Sequence, residues 1–162
     1  MPMCYTTSLA TPGTTATNGT TNTESDVVLM SPAAAVPARN VAVQAAYVVG
    51  AGNALTAISG LRFRIIRCTT ASTSGTSTTP SPKDAGMQAA TATAHTGGTI
   101  SVTGRTNHVV FGCGAAGPGG WVAPNPDSFI TVTSASTLPS VDLLSVATNI
   151  NLTFEWSVEH QE

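Results

Sequence analysis

The sequence predicts an all-β fold, a single antiparallel β-sandwich of jelly-roll-like kind with an extended N-terminal arm. Three observations predict it. Short segments of alternating apolar and polar residues recur along the chain, and a strand turns successive side chains to opposite faces. Clusters of glycine, proline and asparagine separate those segments. Leu, Glu and Lys are scarce beside Thr and Gly, and no window holds a 3.6-residue apolar stripe between good caps.

Taken in order, residues 1–25 make the arm. The stretch YTTSLATPGTTATNGTTNTES is almost free of large apolar groups and cannot by itself bury enough surface to offset its ordering entropy. It is expected to lie over a neighbour in an assembly, or to be disordered when free. The sandwich domain then runs over 26–162, beginning at Asp26 with VVLM. In NVAVQAAYVVG, Val41, Val43, Ala45 and Tyr47 alternate; in LRFRII, Leu61, Phe63 and Ile65 alternate with Arg62 and Arg64. GGTISVTG, NHVVFG and FITVT read as three further short strands. The last strand is the clearest. Ile150, Leu152, Phe154, Trp156 and Val158 point one way, and Asn151, Thr153, Glu155, Ser157 and Glu159 the other. Short helical turns fit best at 32–38 or 140–146. Roughly seven or eight strands with Gly/Pro/Asn turns argue for a sandwich, with the strand order left open. Two long loops interrupt the pattern, 69–90 and 112–128, and loops of that length are usually functional or mobile.

Composition narrows the function. Only 9% of the 162 residues are charged and the formal net charge is −2. A surface solvated by hydroxyls gives little long-range repulsion between copies and suits a protein that packs beside itself. Six Lys and Arg spread along the chain argue against a nucleic-acid partner held by phosphate neutralisation. No apolar run approaches the ~18–20 residues that span a bilayer, and the N-terminus has no basic and apolar leader pattern. The chain reads as a soluble product made in a cytoplasm, with no membrane partner. Cys4, Cys68 and Cys113 form no metal pair and no disulfide framework; free thiols are the simpler reading, with a Cys68–Cys113 bridge left open.

No catalytic motif survives inspection, and the chain is expected to be neither an enzyme nor a cofactor binder. Residues 112–117 match G-x-G-x-x-G, but Pro118-Gly119-Gly120 follow, which open no helix to hold a pyrophosphate. His95, His108 and His160 lie in separate segments, none at metal-ligand spacing from another. There is no Gly-x-Ser-x-Gly elbow. Glu155 and Glu159, on one strand face, stand about 13 Å apart at ~3.3 Å per residue, too far for a glycosidase pair.

The residues that invite a contact are Arg62, Arg64, Arg67, Trp121, Glu155 and Glu159. Arg62 and Arg64 share the face opposite Leu61, Phe63 and Ile65, while Arg67 falls on the other side. With Glu155 and Glu159 on the outer face of another strand, cross-strand or cross-subunit ion pairs are the functional reading. Solvated arginines are the plain alternative, and nucleic-acid contact would need a denser basic patch. Trp121, set among glycines and prolines, either plugs the end of the sandwich or meets a partner; the plug is favoured because large aromatics seldom stay exposed.

The segment LRFRIIRCTTASTSGT, the loops PSPKDAGMQAATATA and GPGGWVAPNPDS, and the closing strand NINLTFEWSVEH resemble small virion proteins of bacterial viruses. The likeness is to capsid decoration (cement) proteins and related jelly-roll head proteins, in composition and rhythm over about residues 27–160. It implies a structural role in the virion, commonly as a homotrimer bound where major capsid subunits meet, with the N-terminal arm as a tie to the shell. A single jelly-roll capsid or vertex protein is the alternative. A carbohydrate- or receptor-binding module using Trp121 and the two loops is a third reading.

Overall fold

The computed structural model describes residues 3–8, 13–14, 24–32, 39–50, 61–70, 75–96, 103–113, 117–133, 139–146 and 153–162. Alternating β-branched and aromatic residues make most of them strand. In chain order the strands are β1 (Cys4–Ser8), β2 (Gly13–Thr14), β3 (Glu24–Ser31), β4 (Val41–Gly50), β5 (Leu61–Cys68), β6 (Thr76–Thr78) and β7 (Ser81–Pro82). They continue with β8 (Thr93–Thr96), β9 (Thr106–Cys113), β10 (Pro118–Val122), β11 (Ile130–Val132), β12 (Ser140–Val146) and β13 (Thr153–Gln161). A 3-10 turn at Pro126–Ser128 is capped by the Asn125 side chain, which accepts from the Ser128 N–H.

Two antiparallel sheets face each other. One runs β10-β4-β13-β1-β7, with β11 also on β4 and β2 on β13; the other runs β6-β8-β3-β12-β5-β9. Reduced to the principal strands β1, β3, β4, β5, β9, β10, β12 and β13, the chain order makes one sheet sixth-third-eighth-first and the other second-seventh-fourth-fifth. That is the order of a jelly roll wound from two Greek keys. The sandwich is therefore all-β and antiparallel as expected, and its strand order is fixed by long-range pairing.

The core lies between the sheets. Phe63 and Ile65 of β5, Val141 and Leu143 of β12, Val28 and Met30 of β3 face Val41, Val43, Ala46 and Val48 of β4 and Trp156 and Val158 of β13. Phe63 stacks on Phe111 with ring centroids 5.6 Å apart. Each such side chain contributes about 1.5–3 kcal/mol of burial. Trp156 and Val158 alternate with outward Glu155 and Glu159, as the period of the last strand predicts.

Four expectations need correction. First, the arm is in part a strand: Cys4–Ser8 pairs with β13 on one side and β7 on the other, and Tyr5 is fully buried. Polar Thr and Ser serve here because only Tyr5 and Thr7 face inward. Regular structure also resumes at Glu24, before Asp26. Second, residues 140–146 are no helical turn but the strand β12, central in its sheet, because hydrogen bonding to β3 and β5 on both sides overrides weak local preference. Third, the alternation in β4 breaks. Where β13 steps from Glu159 to His160, β4 steps from Ala45 to Val43, leaving Gln44 as an extra residue. That bulge shifts the phase, so Ala46 and Val48 follow Val41 and Val43 inward while Tyr47 and Val49 face out. Fourth, the two long loops carry strands: β6 and β7 within 69–90, β10 within 112–128. Most of the expected strand GGTISVTG, apart from a turn at 103–104, and residues 33–38 of the possible turn at 32–38 lie outside the described residues.

Candidate functional site

Three features of this framework can carry function, and two of them are buried. At the end of the sandwich near the first and last described residues, β1 and β13 bring Tyr5, His160 and Glu162 together, and the chain before β4 adds Arg39. The Glu162 side chain is fully buried. It accepts from the Thr91 N–H at 2.8 Å, the Ala92 N–H at 3.0 Å and the Thr91 hydroxyl at 2.6 Å, with His160 Nε2 at 3.3 Å and Arg39 Nη1 at 3.7 Å. Burial pushes its pKa up, but His160, Thr91 and the two backbone N–H groups outweigh that and bring it down to about 2. Tyr5 stacks on His160 with centroids 5.4 Å apart and donates to the Gln88 carbonyl at 3.1 Å. This is a polar lock joining β1, β13 and the segment before β8.

The second feature lies on the outer face of the other sheet. Ile66, Cys68 and Leu144 form a small buried cluster there, away from the main core. Asp142, on the same face, is buried too, and its Oδ2 accepts from the Cys68 thiol at 3.4 Å. Burial raises Asp142 to about 6 against the opposing pull of Ser140, Cys68 and Arg105. Burial, then the Asp142 charge, pushes the Cys68 thiol up to about 12, so it is no nucleophile. Cys68 ends β5, and Cys113 pairs through its backbone with Leu61 at the other end of that strand, some 23 Å away at ~3.3 Å per residue. The two cannot be bridged.

The third feature is exposed. On the outer face of the sheet containing β4 and β13, Tyr47 is 39%, Val49 44% and Val122 58% exposed. Tyr47 sits between Gly120 and Ser157, Val122 beside Ala45, and Val49 between Pro118 and Glu155. A side chain at Gly120 would put its Cβ 3.0 Å from the Tyr47 ring and 2.9 Å from the Ala46 carbonyl oxygen, so glycine leaves room for the ring to approach β10.

The residues singled out from sequence distribute over opposite faces. Arg62 and Arg64 lie on the outer face of the β5 sheet, Arg62 exposed and Arg64 half-buried. Arg67 stands across from Val141 at the strand end, exposed; partial burial, and then the Arg67 charge, lower the pKa of His108. Glu155 is exposed on β13, opposite Val49. Glu159 pairs with Lys83 at 2.6 Å and accepts from Gln44 at 3.4 Å, so it is held rather than merely solvated. Arg62 and Arg64 of β5 and the glutamates of β13 thus sit on outward faces of different sheets, and an ion pair between them within one chain is ruled out. Trp121 lies on the edge strand β10, opposite Ala46, partly buried against the core. The three histidines stay apart: His95 on β8, His108 on β9, His160 in the polar lock. Among the described residues no three of His, Cys, Asp and Glu gather as a metal site. The glycine run after β9 leads into the strand β10.

Sequence reasoning missed the polar lock, because Tyr5, Arg39, Thr91 and Glu162 are scattered along the chain. It passed over Asp142, although one carboxylate inside SVDLLSV is itself a signal of a buried acid. It set Tyr47 in one alternating series with Val41, Val43 and Ala45, for want of the Gln44 bulge. Comparison with protein-family models, with curated proteins and with solved structures gives no match in any of the three.

Proposed function

We propose that this chain is a non-enzymatic structural protein of a virus particle, a decoration or cement protein that stabilises the head of a bacterial virus. Its partners are the major capsid protein and copies of itself, as a homotrimer, and its place is the assembled capsid. The observation that carries the reading is the exposed apolar group Tyr47, Val49 and Val122, with Gly120 and Ser157 beside Tyr47, uncovered on a sheet whose opposite side is a well-packed core. A face of that kind, apolar at its centre with Glu155 beside Val49, suits lateral packing in a crowded lattice. The mechanism is thermodynamic. A protein that binds only the assembled shell stabilises it by mass action, and repetition over the lattice multiplies modest contacts. The test is to purify particles from the source of this chain and measure its stoichiometry against the main coat protein. Re-adding the chain to stripped particles should then raise their melting temperature. A chain absent from particles, or without effect on stripped ones, refutes the proposal.

The jelly-roll strand order favours a second reading, in which the chain itself forms the shell or a vertex, since jelly rolls are common among capsid subunits. Stoichiometry separates the two: a shell protein is the major component, a decoration protein matches or falls below it. The glycan-binding reading draws less support, because Trp121 spends part of its ring on the core instead of offering it to a sugar.

A further inference from the structure

The two outward faces differ in charge. On the β4–β13 face, the exposed apolar group Tyr47, Val49 and Val122 is accompanied by Glu155, directly across from Val49. On the β5–β9 face, Val110 is 58% exposed, stands across from Arg64, and has the exposed Arg62 two residues further along β5. Among the described residues neither Arg62 nor Glu155 makes an ion pair, whereas Lys83, Arg39, Glu159 and Glu162 are paired within the chain. Each patch is thus an apolar centre with a charge beside it, and the charges are opposite.

The geometry points to a head-to-tail contact between copies of this chain, in which the Arg62–Val110 patch of one copy docks on the Glu155–Val49–Tyr47 patch of the next. The two patches face outward from different sheets, so one chain cannot satisfy both, and a contact of this kind is heterologous. It repeats from copy to copy and closes into a ring when the rotation per contact permits. Arginine and tyrosine are the residues that most often anchor such interfaces. A net charge of −2 opposes association only weakly. Of the structural role proposed above, the inference takes up only the packing of copies side by side, and it names the surfaces that meet.

The experiment is a charge swap read by sedimentation velocity and native mass spectrometry of the full chain at low salt. Wild type should associate in a concentration-dependent way, less so as salt is raised. Arg62→Glu and Glu155→Arg should each weaken association by at least about tenfold, since each sets like charges face to face. Combining them should restore it, because the pair is rebuilt with its ends exchanged. Both sites are exposed, and circular dichroism checks that each variant stays folded. A wild type that is monomeric throughout, single variants that associate normally, or a folded double variant no better than the singles would overturn the contact. The outcome is independent of the virion reading. A chain absent from particles that still shows the rescue sinks the virion role and leaves the contact standing. A genuine particle component that is monomeric does the reverse.

Discussion

Asp142 is buried beside Cys68, with the thiol 3.4 Å from its carboxylate and no exposure to share its charge with solvent. Burial holds its folded pKa at about 6, above the ordinary 3.8. A carboxyl whose pKa is raised by folding favours the folded state when protonated. Its contribution is fullest below pH ~4, falls as pH rises through ~6, and is gone above, a change on the order of 2–3 kcal/mol. Asp142→Asn should flatten stability between these limits and raise it at pH 7 by about 1–3 kcal/mol. Urea unfolding at pH 4.5 and 7.5 measures both effects; a variant that keeps the slope would show that Asp142 is not its source.

Glu162 has the opposite sign. Its folded pKa of about 2 lies below the ordinary 4.5, so its contribution is present above pH ~4.5 and is lost as pH falls toward 2. Together the two acids place the stability maximum near pH 4–5. Glu162→Gln should cost about 2–4 kcal/mol at pH 7, because Thr91, Ala92 and Arg39 lose a charged acceptor in a buried site. Acid titration of the variant, followed by circular dichroism, should lack the wild-type loss between pH 4 and 2. An unchanged acid limb would count against the polar lock.

Tyr5 distinguishes a strand from a loose arm. It is fully buried between His160 and the Gln88 carbonyl, in a strand bonded to β13 and β7. Tyr5→Ala should destabilise by about 3–5 kcal/mol and lower the melting temperature by roughly 10 °C. A variant that melts like wild type would mean that residues 4–8 are dispensable to the domain.

Two glycines make a matched pair. Gly104 has φ +61°, and a Cβ there would overlap the Thr69 side chain, lying 2.8 Å from its Cβ. At Gly86 the same atom meets only an Asp84 oxygen, at 3.6 Å. Gly104→Ala should cost about 1–3 kcal/mol and Gly86→Ala well under 1 kcal/mol. Equal effects in denaturant unfolding would rule out the close approach of the 69 and 104 turns.

How far the sequence carried is visible in particular strands. Phe63, Ile65, Trp156 and Val158 were legible as core because period-two alternation is a property of each strand alone. Tyr47 was misplaced because the bulge at Gln44 exists only in the pairing of β4 with β13. Residues 4–8 looked unable to fold because their burial is supplied by other strands, and the stretch 140–146 looked turn-like until two neighbours held it extended.

By itself, then, the sequence determined the class: alternation, turn residues and sparse charge require a sandwich with a lightly charged surface. Only the tertiary structure decided the jelly-roll order, the polar lock around Glu162, the acid buried at Asp142, and the separation of Arg62 from Glu155. The physical reason is range. Alternation and turn chemistry act over a few residues, whereas strand order, bulges and buried polar partners depend on segments brought together from across the whole chain.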